Sequence, residues 1–353
     1  LSFEALIVLE IDGSLKSGSG TILRLSIALA GILNQPLHIY NIRQKRPQSG
    51  LRPQHLEAVL TAAKICNAEV KGATLGSREL WFTPRSIEGG EVEAKIGTAG
   101  NIPMLLLTIL PLCAYAKKPV KLQVTKGGTD TRNAPTMNYL KHVLFPMLSR
   151  MRLDVSLNIE KYGYYPKGMG EIILTVQPCQ KLKPIRLEKF GTLTELRGVS
   201  ICTFLADRKV AERQADAAKQ VLGLHGYKAE IEVVNDFSNP LQKGSSIVLW
   251  AETDSGTLLG ADAIGELGKP SEAVGREAAE SLLRELDSKA TVDVHLADIL
   301  VPYVAMAEEE SVYVTRLVTE HLDTNMWLTQ QISSVRFMVA EADGLYRIET
   351  QHK

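Results

Sequence analysis

Cysteine is scarce in this chain: Cys66, Cys113, Cys179 and Cys202 are its only thiols, lying far apart and with no C-x-x-C spacing. That excludes the paired-cysteine zinc and redox motifs. Three of the four sit in or beside apolar runs, where a buried thiol is common, so reduced structural cysteines and a cytoplasmic compartment are expected. Long apolar runs are missing too. No stretch approaches the ~20 residues of a membrane span, and no membrane partner is expected. Net charge is equally absent, with 40 basic residues balanced by 40 acidic ones. A broad, non-specific nucleic-acid footprint needs a general excess of positive charge. Any nucleic-acid partner must therefore be met by a local basic patch. The first residues pattern as an amphipathic strand rather than as a basic region followed by an apolar one, so no secretory signal is expected.

What is present is enough chain for a large core: 353 residues, 45% hydrophobic and 23% charged, about twice the length of a typical single domain. Periodicity alternates between strand and helix throughout. Strand-like Glu4 to Ile11 precedes helical Ile22 to Leu33 and strand-like Leu37 to Ile42. Pro53 stands where a first-turn proline belongs and opens a helix to Cys66. Two short strands, Glu69 to Lys71 and Leu80 to Thr83, complete a βαβαββ unit. A second such unit follows: strand Glu91 to Ile96, helix Ile102 to Ala116, strand Val120 to Val124, helix Thr136 to Met151, and strands Asp154 to Ile159 and Glu171 to Val176. Two units with one order of elements indicate an internal structural repeat. Residues 189–289 break the rhythm with strands at 197–204, 229–234, 246–252 and 257–263 and helices at 210–222 and 271–286. The earlier order then returns, with helices 294–307 and 324–332 and strands 312–315, 334–340 and 344–349. The expected architecture is α/β (α+β): a large repeat-built domain of residues 1–188 and 290–353, with a smaller α/β domain, 189–289, inserted into it.

Several segments carry groups that bind or react. Ser17-Gly18-Ser19-Gly20 lies between a strand and a helix containing Arg24, where glycines let backbone N–H groups approach a phosphate; a tight capped turn has the same appearance. Arg43, Lys45, Arg46 and Arg52 cluster just before Gln54 and His55. Guanidinium groups hold phosphate oxygens bidentately, and a solvated basic loop is the alternative. Three further glycine-rich loops, Gly97 to Asn101, Lys126 to Asp130 and Tyr164 to Gly170, stand at element ends and suggest a substrate surface assembled from repeat ends. His321 opens a segment just before or within the first turn of a helix, where Asn325, four residues on, shares its face if both are helical; a capping or surface histidine is the alternative.

Taken together in order, Asp12-Gly13 with the loop and Ile22-Leu23-Arg24, Ile42-Arg43, Gly50 to Leu56, Gly97 to Gly100, Gly127 to Asp130, Tyr164 to Gly168, Leu296-Ala297-Asp298 and His321 to Asn325 resemble the motifs of RNA 3'-terminal phosphate cyclases. The resemblance runs through nearly the whole chain. It implies three βαβαββ units similar to the C-terminal domain of translation initiation factor 3, with an insert of thioredoxin-like element order. It also implies chemistry: His321 attacks the α-phosphorus of ATP, the resulting AMP passes to an RNA 3'-terminal phosphate, and the adjacent 2'-hydroxyl closes a 2',3'-cyclic phosphate.

Carried over by position, Arg24, Arg43, Arg46, Gln54 and His55 would contact phosphates or the RNA terminus. Pro135 would wall the adenine pocket, and His295, Leu296, Ala297, Asp298 and Ile299, with Asn325, would border ATP. A divalent metal, Mg²⁺ by chemistry, would ride on the triphosphate. The chain departs from the family pattern at Ser17 and Thr21, where an acid and an amide are usual, and at Leu107 and Ile299, where glutamines are usual, so metal ligands are not assigned. Two other readings stay open on sequence: a catalytically silent cyclase-like protein of ribosome assembly, and an enolpyruvyl transferase, which would have no use for a histidine nucleophile.

Overall fold

The computed structural model describes residues 8–352. The expected first strand is therefore seen only as β1 (Leu9–Asp12), its earlier part lying outside the described residues. The first unit continues with α1 (Gly20–Ile32), β2 (Leu37–Tyr40), α2 (Pro53–Cys66), β3 (Glu69–Lys71) and β4 (Leu80–Thr83). Its sheet runs β1-β2-β4-β3, with β1 parallel to β2 and the other pairs antiparallel. The second unit repeats this with β5 (Gly90–Lys95), α3 (Ile102–Cys113), β6 (Val120–Gly127), α4 (Met137–Tyr139), α5 (Phe145–Arg150), β7 (Asp154–Lys161) and β8 (Gly170–Gln177), in the order β5-β6-β8-β7.

One correction concerns the helix expected over 136–151. It is broken into α4 and α5 by a π turn at Leu140–Leu144. Pro146 is the cause: it has no N–H and its ring crowds the carbonyl one turn back, which the widened turn relieves.

A third unit closes the set. Its first strand is the short β9 (Arg186–Leu187), which periodicity did not reveal. After a long excursion come α8 (Val294–Ala305), β14 (Val312–Thr315), α9 (Glu320–Ile332), β15 (Arg336–Ala342) and β16 (Leu345–Gln351). The sheet, β9-β14-β16-β15, repeats the strand order and directions of the other two. The excursion forms β10 (Leu193–Thr203), α6 (Val210–Leu224), β11 (Glu230–Asp236), β12 (Gly244–Thr253), β13 (Leu258–Ile264) and α7 (Ser271–Ser288), with sheet order β11-β10-β12-β13 and a separate apolar cluster under α6 and α7. The chain is thus an α/β protein of repeated units.

Helix α3 has apolar residues on all sides, and Leu105, Leu106, Ile109, Leu110 and Leu112 are fully buried; a helix apolar all round belongs at the centre. It packs on α1, α2 and α8, while α9 packs on α1 and α8. Close approach is possible because Gly31 of α1 has no side chain where Leu112 and Cys66 meet it. In each unit the helices run back against the parallel strand pair, so they begin at the C-terminal strand ends. Helices α1, α2, α3, α8 and α9 therefore open onto one side of the molecule. All four cysteines are free thiols, and among the described residues no helix is long and apolar enough to cross a membrane.

Asp293 joins the excursion to the repeats. Its carboxylate caps α8 by accepting from the N–H groups of His295 and Leu296, accepts from the Tyr139 hydroxyl at 2.8 Å, and accepts from Gly260 N–H of β13 at 2.9 Å. Asp293→Ala leaves buried donors on three segments unpaired, which should cost about 3 kcal/mol or more. Urea unfolding should show a lower midpoint, with Asp293→Asn intermediate. Equal midpoints for parent and alanine variant would show that this junction is not a stabilising one.

Candidate active site

Five helix N-termini meet at one cavity of about 770 Å³. Ser19, Gly20, Thr21 and Arg24 come from the start of α1, Gln54 and His55 from α2, Asn101, Met104 and Leu107 from α3, His295, Asp298 and Ile299 from α8, and His321 and Asn325 from α9. Arg43 and Arg46 reach in from the loop after β2, Arg132 to Pro135 from the loop after β6, and Asp262 from β13. Unpaired N–H groups at helix starts carry partial positive charge, and here they add to guanidinium groups.

The cationic end is strongly electropositive. Burial, followed by repulsion from Arg43, lowers the Arg24 pKa to about 10, still charged at neutral pH. Burial, then Arg52 and Arg46, also lowers Arg43. Arg43 has a backbone φ of 56° and donates to the carbonyls of Gln48 and Gly50 at 2.6 and 3.0 Å. It therefore shapes the loop as well as charging the cavity. Arg46 is exposed at the mouth.

His55 is buried among these arginines, and burial plus Arg24, Arg43 and Arg52 push its pKa down to about 2. It is neutral. Its Nδ1 accepts from Arg52 N–H at 3.3 Å, so the proton sits on Nε2, which faces Gly20. Any side chain at position 20 would strike that nitrogen and Arg24. Gln54 is fixed likewise: its Oε1 accepts from Asn101 N–H at 2.7 Å, leaving the amide N–H groups as donors.

His321 lies in the first turn of α9, which starts four residues earlier than the 324–332 span read from the sequence because Thr319 caps it, accepting from Leu322 N–H at 2.9 Å. The imidazole opens to the cavity. Desolvation by the surrounding protein, then Arg24 and Arg46, lowers its pKa, so it is neutral and nucleophilic at pH 7. Its Nδ1 lies 3.4 Å from Thr21 Oγ1, which also accepts from Arg24 at 3.1 Å. Lys16 pairs with Asp323 at 3.0 Å, and Ser17 N–H donates to Thr324, so the loop before α1 is tied to α9.

Asp298 is the brace behind this helix. Its carboxylate accepts from the Thr319 hydroxyl at 2.6 Å, its carbonyl accepts from Asn325 Nδ2 at 2.9 Å, and burial raises its pKa to about 7 despite the Thr319 bond. Asn325 Oδ1 has no partner among the described residues. Met104, Leu107, Pro135, Ile299 and Pro302 supply the apolar part of the cavity lining.

Of the residues singled out from sequence, Arg24, Arg43, Arg46, Gln54, His55, Pro135, His295, Asp298, Ile299, His321 and Asn325 line the cavity. The side chains of Leu296 and Ala297 are fully buried in the core instead. Sequence reasoning missed Arg132 and Asp262. Arg132 follows a glycine-rich loop and was within reach of that signal; Asp262 lies in the excursion, to which no site residue was given. Among the described residues no three His, Cys, Asp or Glu side chains cluster as a metal site.

Residues 15–339 match the family model described as RNA 3'-terminal phosphate cyclase. The chain is 42% identical to a protein of Pyrobaculum aerophilum named RNA 3'-terminal phosphate cyclase, over 97% of each chain. It is 41% identical to the protein of that name from Methanopyrus kandleri, over 96% of each, and 42% identical to that of Pyrococcus furiosus, over 95% of this chain and 96% of the other.

The electrostatics predict strong binding of compact polyanions. Arg46→Ala should weaken binding of inorganic tripolyphosphate, read by calorimetry, about tenfold without changing thermal stability. Arg43→Ala should weaken it and also lower the melting temperature, since two loop carbonyls lose their donor. Unchanged binding in both variants would remove them from the anion site.

Proposed function

The chain belongs to the RNA 3'-terminal phosphate cyclase family, and from that premise we propose how its cavity uses ATP to close an RNA 3'-phosphate into a 2',3'-cyclic phosphate. The observation that carries the reading is a neutral imidazole, His321, at a helix start beside Arg24 and Arg46, which make no ion pair among the described residues. Nε2 of His321 attacks the α-phosphorus of ATP, a P–N bond forms, and the P–O bond to pyrophosphate breaks. Nδ1 keeps its proton, held toward Thr21. Arg24, Arg43 and Arg46 neutralise charge on the departing pyrophosphate.

An oxygen of the RNA 3'-phosphate then attacks the adenylate phosphorus and the P–N bond breaks. His321 leaves as neutral imidazole, its Nδ1 proton still in place. In the last step the 2'-oxygen attacks the activated 3'-phosphorus, AMP departs, and the hydroxyl proton goes with it. Fixed proximity of the ribose hydroxyl supplies much of this step. His55 Nε2–H and the Gln54 amide are donors suited to the RNA phosphate. His55 is no general base, because one ring nitrogen is protonated and the other is bonded to Arg52.

The apolar wall of Leu107, Pro135, Ile299 and Pro302 suits an adenine ring, with Asn325 Oδ1 as an acceptor for a ligand N–H. His295 and Asp298 border the same space, and Leu296 and Ala297 support it from the core. The residues present do not fit a resident metal site: Ser17 and Thr21 offer hydroxyls only. Mg²⁺ would enter as the counter-ion of the nucleotide. The partner is RNA ending in a 3'-phosphate, in the cytoplasm. We also assign residues 189–289 as an inserted domain in a host of 1–188 and 290–353; the separate sheet and core of the excursion support that division.

The test is covalent labelling. With α-labelled ATP the parent should retain label in an acid-labile, base-stable bond, and His321→Ala should retain none while still closing the ring on pre-adenylylated RNA. Label on another residue, or equal labelling of the variant, would overturn the mechanism. The pH dependence follows from the lowered pKa. Since the neutral form reacts, kcat/KM for labelling should stay flat through pH 7 and lose rate only below the ordinary histidine value of 6.5. An acid limb above that value would mean that His321 is not the group titrating.

A further inference from the structure

The loop between β7 and β8 has one side chain that its fold does not explain. Tyr164 is buried: its hydroxyl meets Thr203 Oγ1 at 3.0 Å, and its ring occupies the space a side chain at Gly244 would need. Tyr165, the next residue, is 80% exposed. The backbone beneath it is held on every side. Gly168 N–H donates to Tyr164 O at 2.7 Å, Gly163 N–H donates to Thr129 Oγ1 at 2.9 Å, and Asn239 Nδ2 donates to the carbonyls of Tyr162 and Met169. An aromatic ring displayed in water from a clamped loop is preorganised for stacking.

Its position connects it to the cavity. Gln54, placed above at the RNA terminus, packs on Gly100 and accepts from Asn101; the neighbouring Thr98 and Ala99 pack on Gly168. Arg132, from the loop after β6 that carries Thr129, lines the cavity and pairs with Glu266. Lys167, two residues on, is exposed and makes no ion pair among the described residues. An exposed aromatic ring two residues from an exposed ammonium, on a loop packed against the segment that leads to the cavity residue Asn101, has the chemistry that holds single-stranded nucleic acid, the ring stacking on a base and the cation meeting its phosphate.

We propose that Tyr165 is a stacking platform for a base of the RNA on the 5' side of its terminal nucleotide, with Lys167 on the adjoining phosphate. This rests on the cyclase reading for the identity of the ligand. It gives the enzyme a contact that an RNA chain can make and a lone nucleotide cannot. It also explains why this loop is clamped while the ring it carries is left bare.

The experiment compares two ligands and three proteins. For a hexanucleotide ending in a 3'-phosphate, Tyr165→Ala should raise Kd, measured by anisotropy without ATP, about tenfold, and should raise KM for cyclisation while kcat holds. Tyr165→Phe, which keeps the ring, should behave as the parent. A nucleoside 3'-phosphate should bind parent and Tyr165→Ala alike. The proposal is overturned if the hexanucleotide binds the alanine variant as tightly as the parent, if both ligands lose equally, or if phenylalanine fails to restore binding. Failure of the cyclase reading would look different: the parent would form no adduct with ATP, while the anisotropy comparison would still decide the role of Tyr165.

Discussion

Positive charge at the ends of five helices, brought to one place by the repeat, is the constraint on which the site depends. Each βαβαββ unit sends its helices back from the C-terminal ends of its parallel strands, so α1, α2, α3, α8 and α9 all begin on one side. Each start contributes a partial positive charge of about half an electron. Side chains there inherit two properties: they stand at the rim of the packed core, where rotamers are fixed, and they share a field that draws anions. Arg24, His55 and His321 each occupy the first or second turn of a helix. Phosphate groups are drawn to this side by architecture before any side chain is counted.

The same field sets protonation. His55 and His321 sit among arginines and are held neutral, one as a fixed donor and the other, in the proposed mechanism, as the nucleophile. Among the carboxyls that line the cavity, burial raises Asp298 to about 7 and raises Asp262. Asp298 braces the helix that carries His321, through its cap Thr319 and through Asn325 one turn beyond the histidine. Departures at Ser17 and Thr21 fit this picture, since Ser17 ties the loop to α9 and Thr21 touches the histidine ring.

Much of this was legible in the chain. Helix α2 runs from Pro53 to Cys66 as its proline and apolar spacing required, and strands β3, β4 and β14 fall where alternation placed them. The residues that line the cavity were legible because functional side chains stand beside glycine-rich turns and helix starts. Three features were not. Strand β9 is two residues long, and its partner β14 lies beyond the whole excursion, so no local pattern records it. The π turn before Pro146 answers a clash between turns that hydrophobic spacing does not sense. Asp262 reaches the cavity only because Asp293 and the Gly260 contact with Tyr139 and Val143 seat β13 against the repeats.

One cavity serving first the nucleotide and then the RNA end is the central claim, and a chase of preformed adduct tests it most directly. Enzyme carrying labelled AMP, freed of ATP, would be mixed with RNA ending either in a 3'-phosphate or in a 3'-hydroxyl and quenched at short times. Label should pass from protein to the 3'-phosphorylated RNA and then to free AMP as cyclic ends appear, while 3'-hydroxyl RNA leaves the adduct intact. Release of AMP with no RNA-linked species, or equal discharge by both RNAs, would contradict the account.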